Sequence, residues 1–99
     1  MRTSALLRSG ADQLRDLLLA NTTARPNYRV LQDIHNTAKD LKQLCPYAAD
    51  KARHISLYAQ AFYSDAQDNA DNRAMQHQRM LELAAQIESA AAVHQHRGN

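Results

Sequence analysis

This 99-residue chain contains few residues that interrupt a helix: it has only two Gly and two Pro, at positions 10, 98, 26 and 46. Because Gly and Pro are the least favourable residues inside a helix, every stretch between them is free to be helical. The longest such stretch runs from Tyr47 to Arg97. The sequence therefore predicts an all-α protein, and a helical scaffold by itself does not define an activity.

Cysteine is scarce as well, since Cys45 is the only one. A single Cys excludes an internal disulfide framework and a cysteine-rich zinc site, and it favours a reducing compartment. No stretch approaches the roughly 20 apolar residues of a membrane span, and charged residues interrupt the leucines near the N-terminus. We therefore expect a cytoplasmic protein that has no contact with a membrane.

Large apolar side chains are also few, with no Trp, one Phe and twelve Leu against eighteen Ala. A domain of this size built on such residues has a thin core. We expect residues 1–99 to form a single helical domain with a frayed tail at 94–99. A thin core favours self-association or binding to another protein, because a partner would bury more apolar surface.

The first helix is predicted from Ser4 to Leu19 or Ala20, with Thr3 or Ser4 as its cap. Gly10 falls on its apolar face, where the missing side chain would let another helix approach closely. The predicted buried stripe follows steps of three and four residues. It consists of Leu7, Gly10, Leu14, Leu17 and Asn21, broadened by Leu6 and Leu18.

The two prolines organise the next two helices. Pro26 suits the first turn of helix 2, and Pro46 ends helix 2 while beginning helix 3 almost without a loop. Apolar residues then keep the helical period as far as the C-terminal region. The predicted buried lines are Leu31, Ile34, Ala38, Leu41 and Cys45, then Ala48, Ala52, Ile55, Ala59 and Phe62, and finally His77, Met80, Ala84, Ile87, Ala91 and His94.

The segment from Ser64 to Arg73 decides the architecture, because it is rich in Asp and Asn, which prefer caps and turns. We predict a turn near Gln67 to Asp71, with Asp68 or Asp71 capping a fourth helix. That reading gives a small bundle of four helices. The alternative is three helices with a C-terminal helix of about 50 residues, roughly 75 Å long, in an elongated dimer.

Four of the five aromatic residues fall in one window of 17 residues: Tyr47, Tyr58, Phe62 and Tyr63. Aromatic side chains with a polar edge are enriched at binding hot spots. We therefore predict that these four residues bind a partner. The competing reading places Phe62 in the core with the tyrosines at its rim.

Basic residues are concentrated in the first half of the chain, where nine Lys and Arg outnumber five Asp, whereas residues 54–99 hold three against five acidic residues. Arg25, Arg29 and Arg53 are predicted to orient a protein partner by electrostatic attraction. The alternative function is a regulator that binds nucleic acid or a nucleotide through this basic half. Interleaved Asp33, Asp40 and Asp50 weaken that alternative.

Motifs for catalysis or metal binding are not found in the sequence. The five histidines lack the spacing of three or four residues that places two metal ligands on one helix face, and no nucleophile or phosphate-loop motif occurs. We predict no catalytic residue, no metal and no cofactor. The sequence is thus interpreted as a non-enzymatic helical interaction protein, such as an adaptor, a chaperone-like subunit or an inhibitor, that binds another protein and self-associates.

Overall fold

The computed structural model describes residues 2–64 and 70–96, and within them the chain forms four helices. These are α1 (Arg2–Ala20), α2 (Tyr28–Leu41), α3 (Pro46–Phe62) and α4 (Ala70–His96). The prediction of an all-α bundle of four helices is confirmed, and the single helix of about 50 residues is wrong because α3 ends at Phe62.

Residues 65–69 lie outside the described part of the chain, and so does most of the predicted turn at Gln67 to Asp71, including Asp68 as a cap. Asp71 is the second residue of α4, so it is not the cap of that helix. Among the described residues, no helix combines the length and the apolar composition needed to cross a membrane.

The starts of the first two helices differ from the sequence prediction. α1 already includes Thr3 and Ser4, so neither is its cap. Asn27 is the cap of α2, because its side-chain oxygen accepts a hydrogen bond of 3.3 Å from the Val30 amide. Pro26 therefore precedes the cap instead of lying in the first turn. A capping side chain decides where the backbone becomes helical.

A turn of residues 42–44 joins α2 to α3, slightly longer than predicted. Cys45 then caps α3 with an extended backbone, and its Sγ accepts a hydrogen bond of 3.4 Å from the Ala48 amide. Pro46 is the first helical residue, as predicted, where its missing N–H has no helical partner to lose. Cys45 is half-buried and lies beyond the end of α2, so it does not belong to the buried line of that helix as predicted.

The helices pack in chain order around one core, and α4 closes the ring against α1. The bundle measures 44 × 22 × 21 Å. Alanine at alternate turns lets the helices approach closely while leucine, isoleucine and methionine fill the centre. The largest fully buried side chains are Tyr63, Leu7, Leu14, Leu18, Ile34, Leu41, Ile55, Met80, Leu83 and Ile87.

The buried lines predicted for α2, α3 and α4 are largely confirmed, whereas that of α1 needs correction. Leu6, predicted to broaden the buried stripe, is 46% exposed, and Ala11 is buried instead. Gly10 is buried on the predicted face, directly against Leu41 of α2. In α4, Leu83 and Ala90 add to the predicted line.

An ion pair links α1 to α4 on the outside of the bundle. Arg15 Nη1 lies 3.1 Å from Glu88 Oε1, and the same guanidinium also bonds to Asp12. The hydrogen bond from Arg15 lowers the pKa of Glu88 below its ordinary value of 4.5. The charged form of Glu88 is therefore favoured in the folded chain.

We expect Glu88→Gln to reduce the acid sensitivity of this protein. Because the folded pKa of Glu88 is lowered, its stabilising effect is present above about pH 4.5 and is lost as the pH falls through the folded pKa. Thermal unfolding of the variant and the unmodified protein from pH 3 to pH 7 should therefore differ at neutral pH and converge in acid. Glu82→Gln is the matched control, because Glu82 pairs with Arg79 of the same helix. A difference in unfolding temperature that stays constant across the pH range would contradict this account.

Candidate functional site

Two of the four aromatic residues predicted to bind a partner lie in the core. Phe62 is 3% exposed and Tyr63 is fully buried. Their rings meet edge to face, with centroids 4.8 Å apart. Neither side chain has the surface to contact a partner, so we correct the prediction and remove Phe62 and Tyr63 from the partner-binding set. The competing reading was right for Phe62, but it placed Tyr63 at the rim.

Tyr63 instead makes hydrogen bonds at one end of the bundle. At this end, which we call the loop end, α1 and α3 finish and α2 and α4 begin. Its hydroxyl donates to the Asn21 carbonyl at 2.6 Å, and its own carbonyl accepts from the Asn27 amide at 2.9 Å. His77 of α4 donates from Nε2 to the Leu18 carbonyl at 2.8 Å. These bonds join all four helices through backbone groups that would otherwise lack partners.

Four apolar residues of α3 and α4 lie along the outer groove between these two helices, whereas Leu57 of α3, 64% exposed, does not line the cavities there. Tyr47 and Val93 lie at one end and are 48% and 50% exposed. Tyr58 and Met75 lie at the other end, and Met75 is 68% exposed. We call these four residues the α3/α4 surface. Sequence reasoning found Tyr47 and Tyr58 but missed Val93 and Met75, which come from the fourth helix.

Two cavities open along this surface. The first has a volume of about 380 Å³ and is lined by Tyr47, Ser89, Ala90, Val93 and His94. The second has a volume of about 410 Å³ and is lined by Tyr58, Met75, Gln76 and Arg79. Tyr47 and Tyr58 are eleven residues apart on α3, which corresponds to about 16 Å along the helix. The surface is therefore an elongated groove with a depression near each end.

Charged side chains border both depressions. The Lys51 ammonium lies 5.1 Å from the centre of the Tyr47 ring, within the range of a cation–π interaction, and 3.7 Å from Asp50. Arg79 pairs with Glu82 at 3.3 Å. Asp50 lies on the same helix as Lys51, and Glu82 lies on the same helix as Arg79. These charged residues are thus already paired, while the apolar residues of the surface remain exposed.

The structure does not bring the three predicted steering arginines together. Arg25 precedes α2 and Arg29 lies in its first turn, at the loop end. Arg53 lies nine residues before Phe62, the last residue of α3, about 14 Å away along that helix, and it pairs with Asp50 at 3.0 Å. These positions form no continuous basic stripe of the kind that nucleic acids require. Nucleic-acid binding stays an untested alternative.

Three of the histidines lie on separate parts of the molecule. His35 contacts Gln60, His54 donates to the Asp50 carbonyl, and His77 binds the end of α1. Among the side chains of residues 2–64 and 73–94, no group of three or more His, Cys, Asp or Glu has the arrangement of a metal site. The candidate functional site is the α3/α4 surface, where exposed apolar residues of two helices line neighbouring cavities.

Comparisons with protein-family models, with curated proteins and with solved structures found no match for this chain. A function must therefore be argued from the chemistry of this surface alone.

Proposed function

We propose that this chain is a small, non-enzymatic interaction protein that binds another protein through the α3/α4 surface. The observation that carries this proposal is the concentration of half-exposed Tyr47, Val93 and Met75, with Tyr58, in one groove. Apolar side chains gathered in a groove typically mark a binding site. The single Cys45 favours the cytoplasm as the place of action.

The shape of the surface suits the binding of a helical segment of the partner protein. Two depressions about 16 Å apart match side chains on one face of a helix about eleven residues apart. An amphipathic helix that lays its apolar face in a groove anchors itself through residues spaced in this way. Tyr47 and Tyr58 each combine a large apolar ring with a hydroxyl, as hot-spot residues do.

Replacing either tyrosine should weaken partner binding by roughly thirtyfold or more, since hot-spot residues contribute at least about 2 kcal/mol. We would first isolate the partner with the tagged protein from its native host, and then measure the affinity of the purified pair by calorimetry. The variants are Tyr47→Ser and Tyr58→Ser. The helical content of both should be unchanged, because neither side chain belongs to the fully buried core.

Tyr28→Ser is the matched control, because Tyr28 is an equally exposed tyrosine on α2, at 55%. Its replacement should leave the affinity unchanged. The mass of the protein in solution, measured with and without the two substitutions, decides whether a second copy occupies the same groove. A stable monomer that captures no partner, or a partner whose affinity survives both substitutions, would refute the proposal.

A further inference from the structure

A cavity of different chemistry lies at the loop end of the bundle. It has a volume of about 160 Å³ and is lined by Ala24, Arg25, Pro26, Ala61, Phe62, Ser64 and Arg73. Among the described residues of this lining, Arg25 and Arg73 are the charged ones, and they come from different elements of the fold. Neither forms an ion pair with another described residue. Two permanent positive charges thus border one small cavity.

The backbone that positions both arginines is held in place by hydrogen bonds. Arg25 lies between Asn21, whose carbonyl accepts from Tyr63, and Asn27, whose amide donates to Tyr63. Arg73 lies one turn before His77, which is bonded to the end of α1. The loop that carries Arg25 and the helix that carries Arg73 are therefore both attached to the same buried cluster, which holds the backbone on both sides of the cavity in place.

Helix dipoles add to the positive potential at this end. α2 begins at Tyr28 and α4 begins at Ala70, so two helix N-termini lie here. Acidic residues are favoured at such positions and cations are disfavoured. The first turn of α2 nevertheless has no acidic residue and contains Arg29, whereas the start of α4 holds both Asp71 and Arg73. The start of α2 thus departs from the local preference, and such departures are expected at functional sites.

We propose that Arg25 and Arg73 form a binding site for a phosphate group. Arginine stays protonated at any physiological pH, and its planar donors match the oxygens of phosphate in pairs. The cavity is smaller than the roughly 300–1,000 Å³ typical of sites for larger ligands, and its size suits one oxyanion group. This site is separate from the α3/α4 surface and does not depend on the function proposed for it.

NMR titration of the full chain with inorganic phosphate tests this site. In low salt, the amide and guanidinium signals of Arg25 and Arg73 should shift together and saturate at millimolar phosphate or below. Arg25→Gln and Arg73→Gln should each weaken the affinity by about tenfold or more, as expected for the loss of a charge-assisted hydrogen bond. AMP should bind at least as well as phosphate, whereas adenosine should leave these signals unchanged.

Arg53→Gln is the matched control, since Arg53 is an exposed arginine paired with Asp50 away from the loop end. This variant should keep the affinity of the unmodified protein. Shifts that do not saturate, or that survive both loop-end substitutions, would overturn the proposal. So would a saturable response that appears only with Asp65→Asn and Asp68→Asn, because the chain's own carboxylates would then be the natural ligands of the two arginines.

Discussion

Tyr63→Ala should lower the free energy of unfolding by about 3–5 kcal/mol, the usual range when a large aromatic side chain is removed from a core. Tyr63 is fully buried and packs edge to face against Phe62. Its hydroxyl also satisfies the Asn21 carbonyl, which follows the end of α1. Urea unfolding followed by circular dichroism measures the loss. Tyr47→Ala is the control for exposed tyrosines and should cost about 1 kcal/mol or less.

Tyr63→Phe separates the hydroxyl from the ring. The variant keeps the edge-to-face contact with Phe62 but loses the bond of 2.6 Å to Asn21. We expect it to be less stable than the unmodified protein by about 1 kcal/mol near neutral pH, the typical net contribution of one hydrogen bond. A loss as large as that of Tyr63→Ala would mean that the hydroxyl, and not the ring, dominates.

The free energy of unfolding of the unmodified protein and that of Tyr63→Phe should also respond differently to alkaline pH. Burial raises the pKa of Tyr63 from 10.0 to about 12. The unfolded chain therefore releases this proton near pH 10, while the folded chain keeps it until about pH 12. The stabilising effect is present below pH 10 and is lost as the pH rises towards 12, a change on the order of 2–3 kcal/mol for a shift of this size. Tyr63→Phe should lack this decline, and an identical decline in both proteins would contradict the account.

The spacing of apolar residues was sufficient to predict the bundle, because helical periodicity is a property of the local sequence. Pro46 marked the start of α3 for the same reason, since it fixes its own backbone and restricts that of Cys45. The exact starts of α1 and α2 were wrong. A helix start depends on which side chain accepts a hydrogen bond from the first amides, and several Asn, Thr and Ser residues near each start could do so.

The partner-binding set failed at Tyr63 for a geometric reason. Tyr63 follows the last residue of α3 and has a φ of −112°, outside helical values, so the helical period no longer predicts its direction. Its hydroxyl is satisfied by Asn21, 42 positions earlier in the chain. A contact between residues so far apart in sequence leaves no local pattern to read.

The α3/α4 surface was half predicted because it is built from two helices. Tyr47 and Tyr58 belong to one amphipathic pattern, and their clustering was visible in the sequence. Met75 and Val93 join them only because α4 runs antiparallel beside α3, which placed them in the same two cavities. Residues that meet across a helix pair can be assigned to one site only when the packing of the helices is known.

Gly10→Leu should be among the most destabilising single substitutions in this protein. A Cβ atom at position 10 would lie 2.5 Å from Leu41 Cδ2 and 2.9 Å from its Cγ, both closer than real Cβ contacts. Leu41 is only 1% exposed, so its side chain or the two helices must shift to relieve the clash. We expect Gly10→Leu to cost about 3 kcal/mol or more, at the upper end of the range for overpacked cores. Ala5→Leu, on the exposed side of the same helix, should be nearly neutral.

Gly10→Ala poses a sharper test, because two effects oppose each other. Alanine is favoured over glycine inside a helix by about 1 kcal/mol, but its single methyl already overlaps Leu41. Since Leu41 is packed in the core, we expect the clash to win and the variant to lose about 1 kcal/mol. Leu41→Ala removes the obstructing atoms, so Gly10→Ala should become stabilising in that background. A double-mutant cycle by urea unfolding measures this reversal of sign. If Gly10→Ala stabilises the unmodified protein by the full helix preference, the close approach of α1 and α2 at Gly10 is not what requires glycine there.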